Sequence, residues 1–392
     1  MDNVKRVKNP RCAIINRNYP PDPGITGQSA AELVGYLEAV GIAVTIITVE
    51  GRYAGGVQQC GNTTVGEHLK VRALYNGKNK LLRLIGTLIE GWRLARLIRC
   101  VKPDVIIGMT DPPLLNYWIS KSAGAEGIPW ISWSMDLYPE AFVAAGLVSS
   151  RSFVFRRLAN AIQKRPPAHL IALGPAQAKH IQQDFGYQLP FTILPCGVHS
   201  MDRSAVAPSW HPGQGKVVFG YVGNMGEAHD PEFVISVMRA LDPRKHVMVL
   251  AVYGVHGKKC IAAAELFESV RVVNQVSREE LGWIDVHVTS LNPKWDHVCV
   301  PSKAVSAVCS GGALITCSSD LNDNWILLQD AAWRIPPGCD YSVEIPAIVR
   351  SLSSEDLCEK RLRAKNLAEK LQKMRADAFE DVRRIILELV AR

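Results

Sequence analysis

Short apolar runs alternate with longer segments of helical period along the chain, the pattern of parallel β-α-β units. In the first half, the runs Cys12 to Ile15, Ala43 to Val49, Asp104 to Ile107, Ile128 to Trp133, His169 to Leu173 and Phe191 to Leu194 predict strands. Between the first two, Ala30, Leu33, Val34 and Leu37 share one helical face, and Ser29 with Glu32 forms an S-x-x-E capping box. From His199 to Gly215 the pattern breaks, with Pro208, Pro212, Gly213 and Gly215 marking a linker. Alternation then resumes, with strands predicted at Val217 to Val222, Val247 to Val252, Val270 to Val273, Asp285 to Val288 and Ala313 to Thr316. From Ser354 a charged segment carrying Leu362, Leu367, Leu371, Met374, Phe379, Val382, Ile386 and Leu389 predicts an amphipathic helix or helix pair docked on the body. The expectation is an α/β protein of two Rossmann-like, doubly wound parallel sheets facing across a cleft. Its predicted domains are residues 1–200 and 216–353, with a linker at 201–215 and the helices at 354–392.

Length agrees with this division, since 392 residues exceed what one hydrophobic core usually supports. The ten cysteines are dispersed with no C-x-x-C pair, which fits a reducing cytosol better than a disulfide scaffold or a zinc site. The start MDNVKRVKNPRCAII has too short an apolar run for a signal peptide, and no stretch reaches the length of a membrane span. A cytoplasmic location is therefore expected. The net charge of +8 suits anionic partners such as nucleic acid, phospholipid headgroups or phosphorylated sugars, or simply a solvated surface.

Four segments place chemistry-bearing residues where α/β folds bind ligands. In FGYVGNMGEAHD, Gly223 and Gly226 let the backbone approach an anion such as a pyrophosphate, and the amides opening the next helix would favour it. A purely structural turn has the same signature. In DVHVTSLNPKWDHVCVPSKAVSAVCSGGALI, Pro301 and Ser302 mark a helix entry and put Lys303 in the first turn. Lysine is disfavoured at that positive dipole end unless an anion lies there. In YPPDPGITGQS, Gly24 and Gly27 precede the helix after the first strand, a geometry suited to an acceptor hydroxyl or a donor phosphate. MTDPPLL and SMDLYPEAF set Asp111 and Asp136 just after buried strands, placed to bind sugar hydroxyls or act as a base, with capping of the next turn as the alternative for Asp111. Walker A, H-E-x-x-H and G-x-S-x-G patterns are absent, as are two aspartates one residue apart. A metal-free reaction without a cofactor is expected.

Together these segments resemble the bacterial GT-B glycosyltransferases of the family 4 type, in the O-antigen and exopolysaccharide branch with a Pro-Ser-Lys motif. The similarity runs from NYPPDPGITGQS through TDPPLL, MDLYPE, GYVGNMGEAHD and DVHVTSL to VPSK, nearly the whole chain. It implies that the carboxyl-terminal domain binds a nucleotide sugar and the amino-terminal domain an acceptor. Gly223 and Asn224 would line the diphosphate, Ser302 and Lys303 would contact it, and His229 with Asp230 would lie near the donor. The base would be gripped through backbone by the loop around Val273. Gly24, Gly27, Gln28 and Asp111 would serve the acceptor or the cleft, with Asp136 facing the reacting sugar. Many relatives carry two glutamates eight residues apart, the second on the ribose; here Val298 and Ser306 stand at those positions, and Ser306 offers a shorter, neutral group. Gly312 and Ala313 fall where relatives often have a basic residue and proline.

The resemblance further implies retention of anomeric configuration, with Lys303 and the Gly223 turn stabilising the departing phosphate and Asp136 as base if a dedicated one exists. The segment Lys78 to Lys102 interleaves Leu81, Leu82, Ile85, Leu88, Ile89, Trp92 and Leu97 with Lys80, Arg83, Arg93, Arg96 and Arg99. It either lies on an anionic membrane to reach a lipid-linked acceptor or packs on the sheet with its basic residues outward. The expected partners are a nucleotide sugar and a glycan or lipid-linked acceptor, not nucleic acid. A sugar-nucleotide epimerase of the same fold and a non-catalytic partner subunit remain as alternatives.

Overall fold

The computed structural model describes residues 9–22, 24–50, 66–74, 80–185, 188–200 and 203–392. Outside them lie the first eight residues, Pro23, Cys60, part of the expected linker and Lys78 of the expected basic helix; the side chains of Lys80, Leu81 and Arg83 are likewise not described. The chain divides into two compact units, one of Met1–Leu194 with Ala376–Arg392, the other Pro195–Arg375.

The first unit is built on β1 (Arg11–Ile15), β2 (Ala43–Glu50), β3 (Glu67–Arg72), β4 (Val105–Gly108), β5 (Trp130–Trp133), β6 (His169–Ala172) and β7 (Phe191–Ile193). They pair in parallel in the order β3-β2-β1-β4-β5-β6-β7. The second contains β8 (Val217–Asn224), β9 (His246–Tyr253), β10 (Val270–Val272), β11 (Val286–Ser290), β12 (Ala313–Cys317) and β13 (Ala332–Ile335), parallel in the order β10-β9-β8-β11-β12-β13. Both are the expected doubly wound sheets. Strand order reverses between β1 and β4 in one and between β8 and β11 in the other, and ligand sites form beyond the carboxyl ends of strands at such points. The central strands are covered on both faces, which is why β4, β5, β11 and β12 are buried throughout. All eleven predicted strands form. The two additional ones, β3 and β13, lie at sheet edges; β3 carries only Leu69 and Val71 among charged neighbours, and β13 is four residues long and interrupted by Arg334.

The first helix runs over Ile25–Ala39 and starts earlier than the sequence indicates. Gly24 is its N-cap, with no side-chain cap, so Ser29 lies inside the helix and the S-x-x-E box does not cap it. The early start depends on Gly27. A Cβ there would stand 2.9 Å from the carbonyl oxygen of Asn18 and 3.0 Å from Tyr19 Cα, both backbone atoms that cannot rotate away. Gly27→Ala is therefore expected to cost about 1–3 kcal/mol and to lower the thermal midpoint by roughly 2–4 °C per kcal/mol. An unchanged melting curve would show that the loop simply moves aside.

The end of the chain forms one 38-residue helix, Ser354–Ala391. Up to Arg375 it belongs to the second unit, where Ala364, Leu367, Ala368 and Leu371 pack with Val305, Val308, Leu314 and Leu328. Beyond it, Phe379, Val382 and Ile386 are buried in the first, with the Phe379 ring centroid 5.6 Å from that of Tyr36, whose hydroxyl donates to Glu380. Leu362 falls off this stripe and is exposed. Within the proline- and glycine-rich stretch, Trp210 is buried with Val218, Val247, Val249 and Ile284 of the second unit. The described cysteines are all free, and no described helix is long and apolar enough to cross a membrane.

Candidate functional site

In the second unit the loops after β8 and β11 converge on Lys303. The β8 strand ends at Gly223 and Asn224; Gly223 has φ +118°, which favours glycine, and its missing side chain leaves open space at the strand end. The chain then turns through Met225, whose N–H donates to Tyr253 O (2.7 Å), and reaches His229 and Asp230. His229 donates from Nδ1 to Ser290 O at the end of β11 (2.6 Å), which leaves Nε2 as an acceptor. Burial, then the neighbouring Lys303 charge, push this imidazole down to about 3, so it is neutral at physiological pH.

Lys303 is the second residue of the helix Ser302–Cys309, at the helix start as expected. Its Nζ donates to Tyr221 Oη (2.7 Å), Asn224 O (2.7 Å) and His229 Nε2 (3.0 Å), and lies 4.6 Å from the Tyr221 ring centroid. Every one of these acceptors is neutral. Burial pushes the ammonium down to about 7, and no described carboxylate helps to hold its charge. A desolvated cation without a counter-ion is costly, and an incoming anion relieves that cost.

The other donor-side residues take varied positions. Asp230 caps the helix Pro231–Ala240: its Oδ1 accepts from the amides of Glu232 and Phe233, and its Oδ2 accepts from Tyr341 Oη (2.8 Å). The helix amides expected to be open to an anion are thus occupied by the chain itself, since Pro231 has none to offer. Ser302 is the first residue of its helix. Ser306 donates from Oγ to Gly197 O (3.0 Å), while its carbonyl accepts from Ser310 Oγ (2.9 Å) and stands 3.1 Å from His199 Nε2. Val273 extends the β10 ladder by donating to Leu250 O (3.0 Å), and its side chain packs against the Trp210 cluster.

In the first unit the cluster lies beyond β1, β4 and β5. Asp111 accepts from Asn18 Nδ2 at Oδ2 (2.6 Å) and from the Arg17 amide at its carbonyl (2.6 Å). It does not cap the following helix Leu115–Glu126, whose N-cap is Leu114. Burial pushes the Asp111 carboxyl up to about 6 against the opposing pull of Arg17. Thr110 Oγ1 accepts from the amides of Met135 (3.3 Å) and Asp136 (3.0 Å), fixing the loop that carries Asp136. Asp136 keeps an exposed edge but is surrounded by protein, and desolvation, then the Asp111 charge, move its carboxyl upward as well. Arg17 Nε donates to Glu90 Oε2 (3.1 Å), and the Glu90 side chain is 1% exposed. Gly24 and Gln28 lie in the first turn of the helix beside Asn18, with the Gln28 amide donating to Gly24 O (3.1 Å).

Tyr221, Ser290, Asn18 and Thr110, which lie within the motif segments but are not singled out there, and Arg17 and Glu90, which lie outside them, also belong to these clusters. Three carry a readable signal: Arg17, Asn18 and Thr110 are polar residues within three positions of the ends of apolar strands at the point of order reversal.

Two such sheets in one chain, each with its cluster at the reversal point, define the GT-B class of fold. Among solved structures, the chain is similar to sucrose-phosphate synthase from Thermosynechococcus elongatus, at 15% identity and a TM-score of 0.71 over 98% of this chain and 100% of that one. It is also similar to Anabaena HepE in complex with UDP and glucose (12% identity, TM-score 0.67, 95% and 99% covered). A third likeness is to WaaG, a glycosyltransferase involved in lipopolysaccharide biosynthesis (15%, 0.64, 96% and 99%). No family model matches the chain, and no curated protein does.

Proposed function

We propose that the chain is a glycosyltransferase of the family 4 type. It would move a sugar from a nucleotide-diphosphate sugar to a hydroxyl acceptor, with retention and without a metal ion, in the synthesis of a cell-surface polysaccharide or glycolipid. The observation that carries the reading is Lys303, a desolvated ammonium with neutral partners only, held at the reversal point of the second sheet. Binding of UDP and glucose by a protein of similar fold supports the donor class.

In this reading the diphosphate lies against Gly223, Asn224 and Ser302 with Lys303 as its counter-charge, and His229 keeps the lysine aimed. Asp230 acts through the helix it caps. The loop around Val273 grips the base, and Ser306 retains lone pairs for a ribose hydroxyl. As the bond from the anomeric carbon to phosphate breaks, negative charge grows on the leaving oxygen, where Lys303 is fixed in advance. The acceptor oxygen bonds to the same carbon, and its proton passes to the departing phosphate or to Asp136, whose upward shift suits a base near neutral pH. Gly24, Gly27, Gln28 and Asp111 serve the acceptor. A thermal-shift screen with UDP, GDP, ADP, TDP and CDP and their sugars tests the reading. One diphosphate series should stabilise the protein, by about 2.7 kcal/mol at a hundredfold excess over Kd. No shift with any of them would remove the donor assignment.

The helix Lys80–Arg96 supports an anionic membrane surface on the cytoplasmic side as a further partner. It buries Gly86, Thr87, Glu90, Gly91, Leu94 and Ala95 while Leu82, Ile85, Ile89 and Trp92 face outward, with Arg96 5.0 Å from the Trp92 ring. An outward apolar stripe beside arginines fits a lipid interface better than open water. The protein should float with anionic liposomes at low salt and detach at high salt; no binding at low salt would sink this partner.

A further inference from the structure

Three helices pack side by side in the first unit: Lys80–Arg96, Leu115–Glu126 and Phe153–Gln163. The third is strongly amphipathic in sequence, yet none of its residues is fully buried, and Phe153 and Val154 at its start are exposed. Beneath it lies a cavity of about 270 Å³. Empty apolar cavities of about 150 Å³ already accept benzene, so this one has room for a larger hydrocarbon group.

The lining explains why the sheet leaves this space. On the facing side of β4 and β5, and just beyond their ends, the chain places Thr110, Ser132 and Ser134, all small, whereas the opposite face carries Ile107, Ile131 and Trp133. Trp130, Phe155, Ile162 and Leu170 form apolar walls. One end is polar. Asn116 Nδ2 donates to Ser132 Oγ (3.0 Å), and Ser132 and Ser134 share a hydrogen bond (3.3 Å). Asn116 Oδ1 is buried without a partner, and the Thr110 hydroxyl, which accepts two amides, donates to no described residue. That end therefore has one acceptor and one donor to spare, the complement of an alcohol. Thr110 is also the residue that fixes the amide of Asp136.

We propose that this cavity takes the apolar part of the acceptor, a hydroxyl-bearing hydrocarbon chain entering beside the exposed start of the helix Phe153–Gln163. The proposal deepens the transferase reading and rests on it: the acceptor is an amphiphile, and its chain is recognised in the first unit. Bromo-octanol is the probe, because its bromine quenches tryptophan and Trp130 lines the cavity. Native protein should show saturable quenching that disappears in Trp130→Phe. Ala159→Phe, on the covering helix, fills the space and should weaken binding about tenfold or more, with the native thermal midpoint confirming an intact fold. Absent or unsaturable quenching overturns the proposal, as does equal binding by a folded Ala159→Phe variant. Nucleotide diphosphates are tested on the same samples. If they stabilise the protein and bromo-octanol does not bind, the cavity proposal falls alone. If they fail as well, the transferase reading falls with it.

Discussion

Replacing Lys303 with alanine should abolish stabilisation by nucleotide diphosphates and lower sugar transfer by about 10²–10³-fold, the cost of removing one preorganised charge from a leaving-group site. The fold should survive, because the lysine is held by neutral acceptors whose loss of one donor is offset by removal of a desolvated ammonium. The same residue sets a pH dependence. Its folded value near 7 lies below its ordinary 10.5, so between those limits the unfolded chain holds a proton that the folded protein lacks, and stability rises with pH there. Donor binding runs the other way. A diphosphate draws the proton back onto Lys303, so affinity should fall about tenfold per pH unit above 7 until the bound lysine itself titrates. A nucleotide sugar is the ligand of choice, since its diphosphate diester has no proton to lose in that range. Calorimetric titration across this range should show the slope in native protein and none in Lys303→Ala. A pH-independent affinity in the native protein would mean that the lysine does not meet the phosphate.

Arg17→Met should destabilise the first unit by about 3–5 kcal/mol, the usual penalty for leaving a buried charge without its partner. The Glu90 side chain is 1% exposed, its Oε2 accepts from Arg17, and its Oε1 accepts from the Leu74 amide. Adding Glu90→Gln to Arg17→Met keeps an acceptor for Leu74 and removes the stranded charge, so the double variant should recover much of the loss. Urea unfolding of the four proteins in the cycle measures this coupling, and a single-variant cost below about 1 kcal/mol would place the pair with ordinary surface salt bridges. The Asp111 carboxyl should respond too. Arg17 holds the Asp111 carboxyl down, and its removal should let that group rise further above 6.

Much of this architecture is legible in the sequence because parallel strands covered on both faces are nearly continuous apolar runs, as in β4 or β12. Lys303 at a helix start was legible for a similar reason: proline and serine announce the helix, and a lysine there conflicts with the dipole. Its partners were not, since Tyr221 and Ser290 are ordinary strand residues that meet it only after the sheet folds. Ser29 and Glu32 fit the capping pattern, but the backbone contact of Gly27 with Asn18 and Tyr19 decides where the helix begins. Periodicity along Lys80–Arg96 identifies an amphipathic helix without saying which face packs inward. Here Glu90, needed by Arg17 and Leu74, packs inward beside Leu94 and Ala95 and leaves Ile85, Ile89 and Trp92 outside.

The closing helix also constrains how the protein is made. Domains form in the order in which the ribosome delivers them, yet the first unit lacks Ala376–Arg392 until the entire second unit has been synthesised. During that interval the faces that receive Phe379, Val382 and Ile386 are uncovered, Tyr36 among them. The earliest-made half of the nascent chain is the last to be completed, and it must be kept from aggregating while it waits.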